Sequence, residues 1–273
     1  MTIPFFADEK LARRIENNDA YFGVQSAVIV TRMFPDIGAA AEPFGGGYGV
    51  FTGVRSPLTQ ALGLGMNGPV TEAELVRLEE FYLRRGSSAR IEFCPHAHPS
   101  LLRLLGKREY RLEGCSNLLV RPVKIDSPQL PRESGVSVQR CLGNEAELWA
   151  RTVADGFSES IGASRENLEV LISLEQRRNT TAVLAWVDGA PAGGGALATH
   201  DNIGVVYGAS TLSRFRRKGV QSEIIRSLVS FAAQAECEFV YSLTAPGSTS
   251  QHNLERQDFR VGYTRFLTGK DLS

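Results

Sequence analysis

The order of periodic segments in the second half of the chain restricts the fold more than any other feature. Alternating or apolar runs typical of strands occur at 136–141, 181–187, 192–199, 203–211, 238–244 and 260–267. Segments with helical spacing of apolar residues lie between them, at about 144–157, 165–177, 219–235 and 250–257. The resulting order, β-α-α-β-β-β-α-β-α-β, predicts an α/β fold with a mixed central sheet flanked by helices.

The first half of the chain carries weaker signals. Helices are predicted at 10–17, 71–85 and 100–105, and strands at 39–53, 62–66, 90–94 and 110–120. The helix at 71–85 has a defined start, because Thr71 and Glu74 have the spacing of a capping box. Both halves end in strand, helix, strand, helix, strand. This repetition predicts that the first half is a degenerate structural copy of the second.

A proline-rich segment separates the two halves. Residues 121–135 read RPVKIDSPQLPRESG, and proline both lacks an N–H donor and disfavours helix before it. We therefore predict a first domain at 1–121, a linker at 122–135 and a second domain at 136–273. With 42% hydrophobic and 22% charged residues, each domain can bury a core of its own.

Composition narrows the class of protein. Lys and Arg together number 30, as do Asp and Glu, so the chain has no bulk charge to attract nucleic acid or an anionic membrane. Its apolar runs are too short to span a bilayer, and its first residues lack the pattern of a signal peptide. Single cysteines argue against a disulfide scaffold and favour a reducing cytoplasm; they are Cys94, Cys115, Cys141 and Cys237.

The segment 212–221 carries the clearest chemical signal. A predicted strand ends there, three basic residues follow, and Gly219 opens the long amphipathic helix. The first N–H groups of a helix have no partner within it, and with the helix dipole they favour a bound anion. Glycine allows a phosphate to approach the backbone closely. The pattern indicates a polyphosphate site, and the alternative is a solvated basic turn that only caps the helix.

This segment resembles the pyrophosphate-binding motif of the GCN5-related N-acetyltransferase (GNAT) family, Q/R-x-x-G-x-G/A between a strand and a long helix. Here it reads Arg216-x-x-Gly219-x-Gln221, so Gln221 departs from the family pattern. The order of elements over 136–267 is also that of the family, and Gln257-Asp258-Phe259 is similar to its Leu-Gly-Phe. The resemblance implies two acyl-CoA N-acyltransferase-like domains, of which the first has no such motif before its helix at 71–85.

The resemblance also implies an activity. In such proteins an amine of a small molecule or peptide attacks the thioester of acetyl-CoA or another acyl-CoA directly, and the pantetheine arm lies between two parallel strands that splay apart. Here these strands are 203–211 and 238–244. The residues that would contact the cofactor are Ala209, Ser210, Thr211, Arg216, Arg217, Lys218, Gly219, Val220 and Gln221. Asn253 is a further candidate, with a loop-capping role as the alternative.

The acid–base residues follow less directly. Leu254 occupies the position where family members often carry a tyrosine that protonates the leaving thiolate. Ser250 and His252 are the nearby substitutes, since an imidazole exchanges protons near neutral pH, but His252 also fits an exposed helix face. Glu159 and His200 are weaker candidates for a base. The missing tyrosine favours one alternative, a non-catalytic sensor that binds acyl-CoA, and an aminoacyl donor is another.

Three further patterns have structural explanations. Cys94-Pro-His96-Ala-His98 would place three ligand types on one side of an extended chain, but no fourth ligand is evident, and no metal is predicted. Two triple-glycine runs, 45–47 and 193–195, lack the Lys-Ser/Thr of a phosphate loop. We expect both to be bulges in curved strands.

Overall fold

The computed structural model of the protein describes residues 7–123, 135–157 and 165–271. Most of the predicted linker lies outside these ranges. The chain divides into two compact units, Met1–Asn117 with Gly262–Ser273, and Leu118–Val261. Within the described ranges, no helix is both long and apolar enough to cross a membrane.

The first unit is a mixed sheet with helices. Its helices are α1 (Glu9–Met33), α2 (Glu72–Leu83) and α3 (Pro99–Lys107). Its strands are β1 (Ala40–Phe44), β2 (Gly47–Phe51), β3 (Gln60–Leu62), β4 (Ala89–Phe93), the start of β5 (Arg111–Pro122) and most of β11 (Arg260–Lys270). They lie in the order β1-β2-β3-β4-β11-β5. The predicted capping box is confirmed, because Thr71 and Glu74 bond reciprocally at the start of α2.

Three predictions for this unit are wrong in their bounds. The helix predicted at 10–17 is α1, which continues to Met33 because buried residues such as Phe22 and Val30 extend its apolar face. The strand predicted at 39–53 is the hairpin of β1 and β2. Gly45 and Gly46 form its two-residue turn with φ of 51° and 79°, so this glycine run is not a bulge. The strand predicted at 62–66 ends at Leu62.

The second unit contains the predicted order of elements. It comprises β6 (Val136–Arg140), α4 (Ala146–Gly156), α5 (Arg165–Glu175), β7 (Thr180–Val187), β8 (Ala190–His200), β9 (Ile203–Thr211), α6 (Val220–Gln234), β10 (Phe239–Thr244) and α7 (Thr249–Glu255). The strand order is β5-β10-β9-β8-β7-β6, in which β9 and β10 are parallel and β6 to β9 antiparallel. The predicted α/β fold with a mixed, helix-flanked sheet is confirmed.

The second glycine run is a bulge, as predicted. The register between β8 and β9 shifts between Gly194 and Ala196. Side chains would not fit here, because a Cβ on Gly194 would lie 2.9 Å from Val153 on α4 and one on Gly195 would lie 2.7 Å from Ile224 on α6. The run therefore lets both helices pack tightly against this strand.

The last strand is grouped differently from its predicted domain. Residues from Gly262 onwards belong to the first unit, whereas the sequence placed 260–267 in the second domain. The reason is that β11 pairs antiparallel with β4, with Phe266 opposite Phe93. Alternation in the sequence predicts a strand at this point but does not predict its neighbour.

A buried arginine fixes β11 within the first unit. Arg265 is 2% exposed and donates to Glu16 at 3.0 Å, Asp19 at 2.6 Å and Glu92 at 2.6 Å. Tyr263 donates its hydroxyl to Glu16 at 2.6 Å. Burial raises the pKa of Glu16, and Arg265 opposes that rise. Burial also disfavours the charged guanidinium, but the carboxylates outweigh it and hold the pKa of Arg265 above its usual value.

Candidate active site

The candidate site is a cleft in the second unit, where two parallel strands separate. The pairing of β9 with β10 runs from Ile203↔Phe239 to Val205↔Tyr241, although β9 continues to Thr211 and β10 to Thr244. Past the paired segment lies a cavity of about 820 Å³. Its walls come from the ends of α4 and β9, the start of α6, and α7. The family resemblance implies a splayed strand pair of this kind at these two strands.

The cleft brings together most of the residues predicted from the sequence. Those that line it are Ala209, Ser210, Thr211, Arg216, Arg217, Gly219, Val220, Gln221, Ser250 and Asn253. Two predicted residues are not part of this lining. His252 is exposed on α7, and the ammonium of Lys218 lies 5.6 Å from the centre of the Phe215 ring. The sequence did not predict Phe157 and Arg256, which also line the cleft.

The N-terminus of α6 opens into this cleft. Gly219 is its N-cap, with φ of 79° and no capping side chain. The first bond of the helix joins the Glu223 N–H to the Gly219 carbonyl at 3.1 Å, so the preceding N–H groups have no partner within the helix. A Cβ on Gly219 would meet no atom within 4 Å, which shows that the approach is open. With Arg216, Arg217 and Arg256 in the lining, the arrangement suits an anion.

Gln221 spans the cleft. Its Nε2 donates to the carbonyl oxygen of Ala209 on β9 at 2.9 Å. Its Oε1 accepts from Nδ2 of Asn253 on α7 at 2.5 Å. We refer to Ala209, Gln221 and Asn253 as the Gln221 bridge. Asn253 thus bonds within the cleft, while the cap of α7 is Ser248, whose hydroxyl accepts from the Gln251 N–H at 3.2 Å.

The candidate acids and bases differ in their access to the cleft. Ser250 is half-buried in its wall, whereas His252 faces solvent. Leu254, where the resemblance places the family tyrosine, is 2% exposed and packs into the core of the second unit. His200 ends β8, and Glu159 lies outside the described residues. Of these candidate acids and bases, Ser250 is therefore the side chain best placed to contact a ligand in the cleft.

The corresponding helix start in the first unit is already filled. The carboxylate of Glu74 accepts from the backbone N–H groups of Thr71 at 2.9 Å and Gly45 at 3.3 Å. These bonds, Thr71 first, hold the pKa of Glu74 below its usual value despite partial burial. An anion of the protein's own therefore sits at the N-terminus of α2, where a phosphate would have to bind.

The Cys94–His98 segment is not extended, so the expected alternation of its side chains is wrong. The chain turns after Cys94, and His98 caps α3 by accepting from the Ser100 N–H at 3.2 Å. His96 packs edge-on against Tyr263 with ring centres 5.7 Å apart. Burial raises the pKa of the Cys94 thiol to about 12, which disfavours the thiolate that a metal needs. In the ranges that the structure describes, no three candidate ligands form a group suited to a metal ion.

Comparison with known proteins agrees with this geometry. Residues 148–259 match the family model described as "Acetyltransferase (GNAT) family". No curated protein sequence matches the chain. Among solved structures, a GCN5-related N-acetyltransferase from Kribbella flavida covers 91% of this chain and 96% of its own, with 18% identity and a TM-score of 0.65.

A second similar structure is a tandem GNAT protein from the clavulanic acid biosynthesis pathway. It covers 98% of this chain and 96% of its own, with 11% identity and a TM-score of 0.58. At such identities the likeness shows the fold, and the family model supplies the link to acyl transfer. Residues 148–259 are therefore an acyltransferase domain of the GNAT family, in a chain whose fold is similar to that of a tandem GNAT protein.

Proposed function

We propose that the protein transfers an acetyl or other acyl group from acyl-CoA to an amine of a small molecule or peptide. The observation that carries the proposal is the open N-terminus of α6, which adjoins the end of β9 in one cleft, beyond the last paired residues of β9 and β10. An open helix start with three arginines in the lining fits the pyrophosphate of CoA. The groove beyond the last paired residues of β9 and β10 fits an extended arm such as pantetheine.

The cleft residues would contribute to catalysis mainly by positioning. In the reaction, a neutral amine forms an N–C bond with the thioester carbon and the C–S bond breaks. The proton lost by the amine nitrogen ends on the departing sulfur, so the products are an amide and the free thiol of CoA. Backbone groups of β9 near Ala209, Ser210 and Thr211 would orient the arm and polarise the thioester carbonyl. The amides of α6 would fix the phosphates. The proposal places the protein in the cytoplasm. It includes neither nucleic acid nor a membrane among the partners.

A direct test uses two measurements. Thermal-shift assays with CoA, acetyl-CoA and longer acyl-CoAs should raise the melting temperature, because a ligand that binds only the folded state stabilises it. Release of free thiol from acetyl-CoA in the presence of a panel of amines then separates an enzyme from the alternative, a non-catalytic sensor of acyl-CoA. The specific observation that favours the sensor is the buried Leu254, which leaves the family's tyrosine hydroxyl without a counterpart. Binding without thiol release across the panel would support the sensor.

We expect one CoA per chain in calorimetric titration. Of the two corresponding helix starts, that of α6 is open, whereas the α2 terminus holds Glu74 and is preceded by Pro69, which has no N–H to donate. A second CoA site at α2 would require the Glu74 carboxylate to break its hydrogen bonds with the backbone N–H groups of Thr71 and Gly45. A stoichiometry of two would contradict this assignment.

We expect Ser250→Ala and His252→Ala each to lower turnover by less than the roughly 10²–10⁴-fold typical of losing an acid or base. A CoA thiol has a pKa near that of cysteine, roughly 8.5, so its thiolate leaves tolerably well without a dedicated acid. Ser250 lines the cleft and His252 does not, so Ser250→Ala should have the larger effect. A thousandfold loss in either variant, with CoA binding intact, would identify that residue as the acid.

A further inference from the structure

The Gln221 bridge shows which chemical group the middle of the cleft accepts. On one side the carbonyl oxygen of Ala209 accepts a hydrogen bond from an N–H donor. On the other side the Nδ2 of Asn253 donates a hydrogen bond to an oxygen. Gln221 satisfies both at once, because its side-chain amide offers a donor and an acceptor a short distance apart. Any ligand that enters between β9 and α7 must replace both bonds or leave these two groups unpaired.

A secondary amide meets this demand with a single group. Its N–H and C=O point in opposite directions, so one amide lying between Ala209 and Asn253 can donate to the first and accept from the second. The phosphopantetheine arm of CoA carries two such amides, whereas its nucleotide half, 3′,5′-ADP, carries none. The nucleotide half would bind at the α6 terminus and leave the bridge in place.

We propose that Gln221 is a specificity-determining residue, whose amide stands in for an amide of the pantetheine arm until an acyl-CoA displaces it. This inference rests on the proposed function. It concerns a feature of this chain, since the matching position in the family motif is glycine or alanine, which could not reach Ala209 or Asn253. The half-buried Gln221 therefore competes with the arm for the same two partners.

The competition should weaken the apparent affinity for the pantetheine arm. The ligand-free protein holds two hydrogen bonds that must break before the arm can bind, and the apparent affinity falls by the fraction of molecules in which the bridge is open. For two bonds of ordinary net strength this is on the order of tenfold. Removing the Gln221 side chain should therefore tighten binding of ligands that carry the arm.

The test compares Gln221→Ala with Gln234→Ala, which removes the same side chain from the exposed end of the same helix. Titration calorimetry is performed with CoA, 4′-phosphopantetheine and 3′,5′-ADP. We expect Gln221→Ala to bind the first two on the order of tenfold more tightly and 3′,5′-ADP as the wild type does. Gln234→Ala should match the wild type for all three. Adding Asn253→Ala to Gln221→Ala should weaken 4′-phosphopantetheine several-fold and leave 3′,5′-ADP unchanged.

The outcomes separate this inference from the function on which it rests. Wild-type and Gln221→Ala proteins that bind neither CoA nor 3′,5′-ADP would contradict the proposed function. The role of Gln221 would be overturned if the wild type binds CoA and folded Gln221→Ala binds it equally well or more weakly. The proposed function would then still stand. An equal gain for 3′,5′-ADP would also overturn it, because the change would then act at the helix terminus.

Discussion

Gly219→Glu is expected to weaken CoA binding at least tenfold, on the order of 1.4 kcal/mol, while the protein stays folded. The carboxylate would project from the N-cap of α6 toward the N–H groups that are open to the cleft. It would compete for them as an anion at a helix N-terminus, and it would repel the phosphates of a ligand. Calorimetric titration with CoA, alongside the melting temperature, measures the effect.

Two controls separate charge from backbone strain. Gly219 has φ of 79°, a left-handed conformation that costs other residues about 1–2 kcal/mol, so any replacement lowers stability somewhat. Gly219→Gln has nearly the size and strain of the glutamate without its charge. Gly189→Glu places the same charge at φ of 75° in the open turn between β7 and β8. Unchanged CoA affinity in folded Gly219→Glu would contradict the site, and an equal loss in Gly219→Gln would assign the effect to bulk.

The second unit could be predicted because its local signals agree with its tertiary structure. The stripe formed by Val220, Ile224 and Leu228 has helical spacing, and all three residues are buried. Strands β7 to β9 are joined by short turns, so neighbours in sequence are neighbours in the sheet. The basic residues before Gly219 predicted the position of the cleft for the same reason, since strand, turn and helix start are consecutive.

What the sequence did not predict depends on contacts between distant residues. Gln221 and Asn253 bond across 32 positions, and no spacing rule links a helix start to a later helix. Arg256 enters the cleft only because α7 lies beside it. The pairing of β11 with β4, far away in the chain, likewise depends on how charges such as Arg265 and Glu16 are buried together.

Arg265→Met is expected to lower the free energy of unfolding by about 3–5 kcal/mol, because it leaves buried carboxylates without their cation. The side chains of Arg265 and Glu16 are 2% and 1% exposed, so water cannot replace the guanidinium as a partner of the Glu16 carboxylate. The matched control is Arg84→Met, which breaks the exposed 2.8 Å pair with Glu80 and should cost at most about 1 kcal/mol. Urea unfolding followed by circular dichroism measures both. Similar losses of unfolding free energy in the two variants would contradict the expectation that the buried Arg265 pairs contribute more to stability than the exposed Arg84 pair.

The pH dependence of the same variant tests the electrostatic cause. Burial raises the pKa of Glu16 in the folded protein, and Arg265 is the largest influence that opposes this rise. Without Arg265 the pKa of Glu16 rises further, so the folded variant holds a proton that the unfolded chain releases. A carboxyl with a raised folded pKa costs stability as the pH increases through that value, and below the unfolded value it costs nothing. The deficit of Arg265→Met relative to wild type should therefore be smaller at acid pH than at neutral pH. A deficit independent of pH would point to lost packing of the arginine side chain instead.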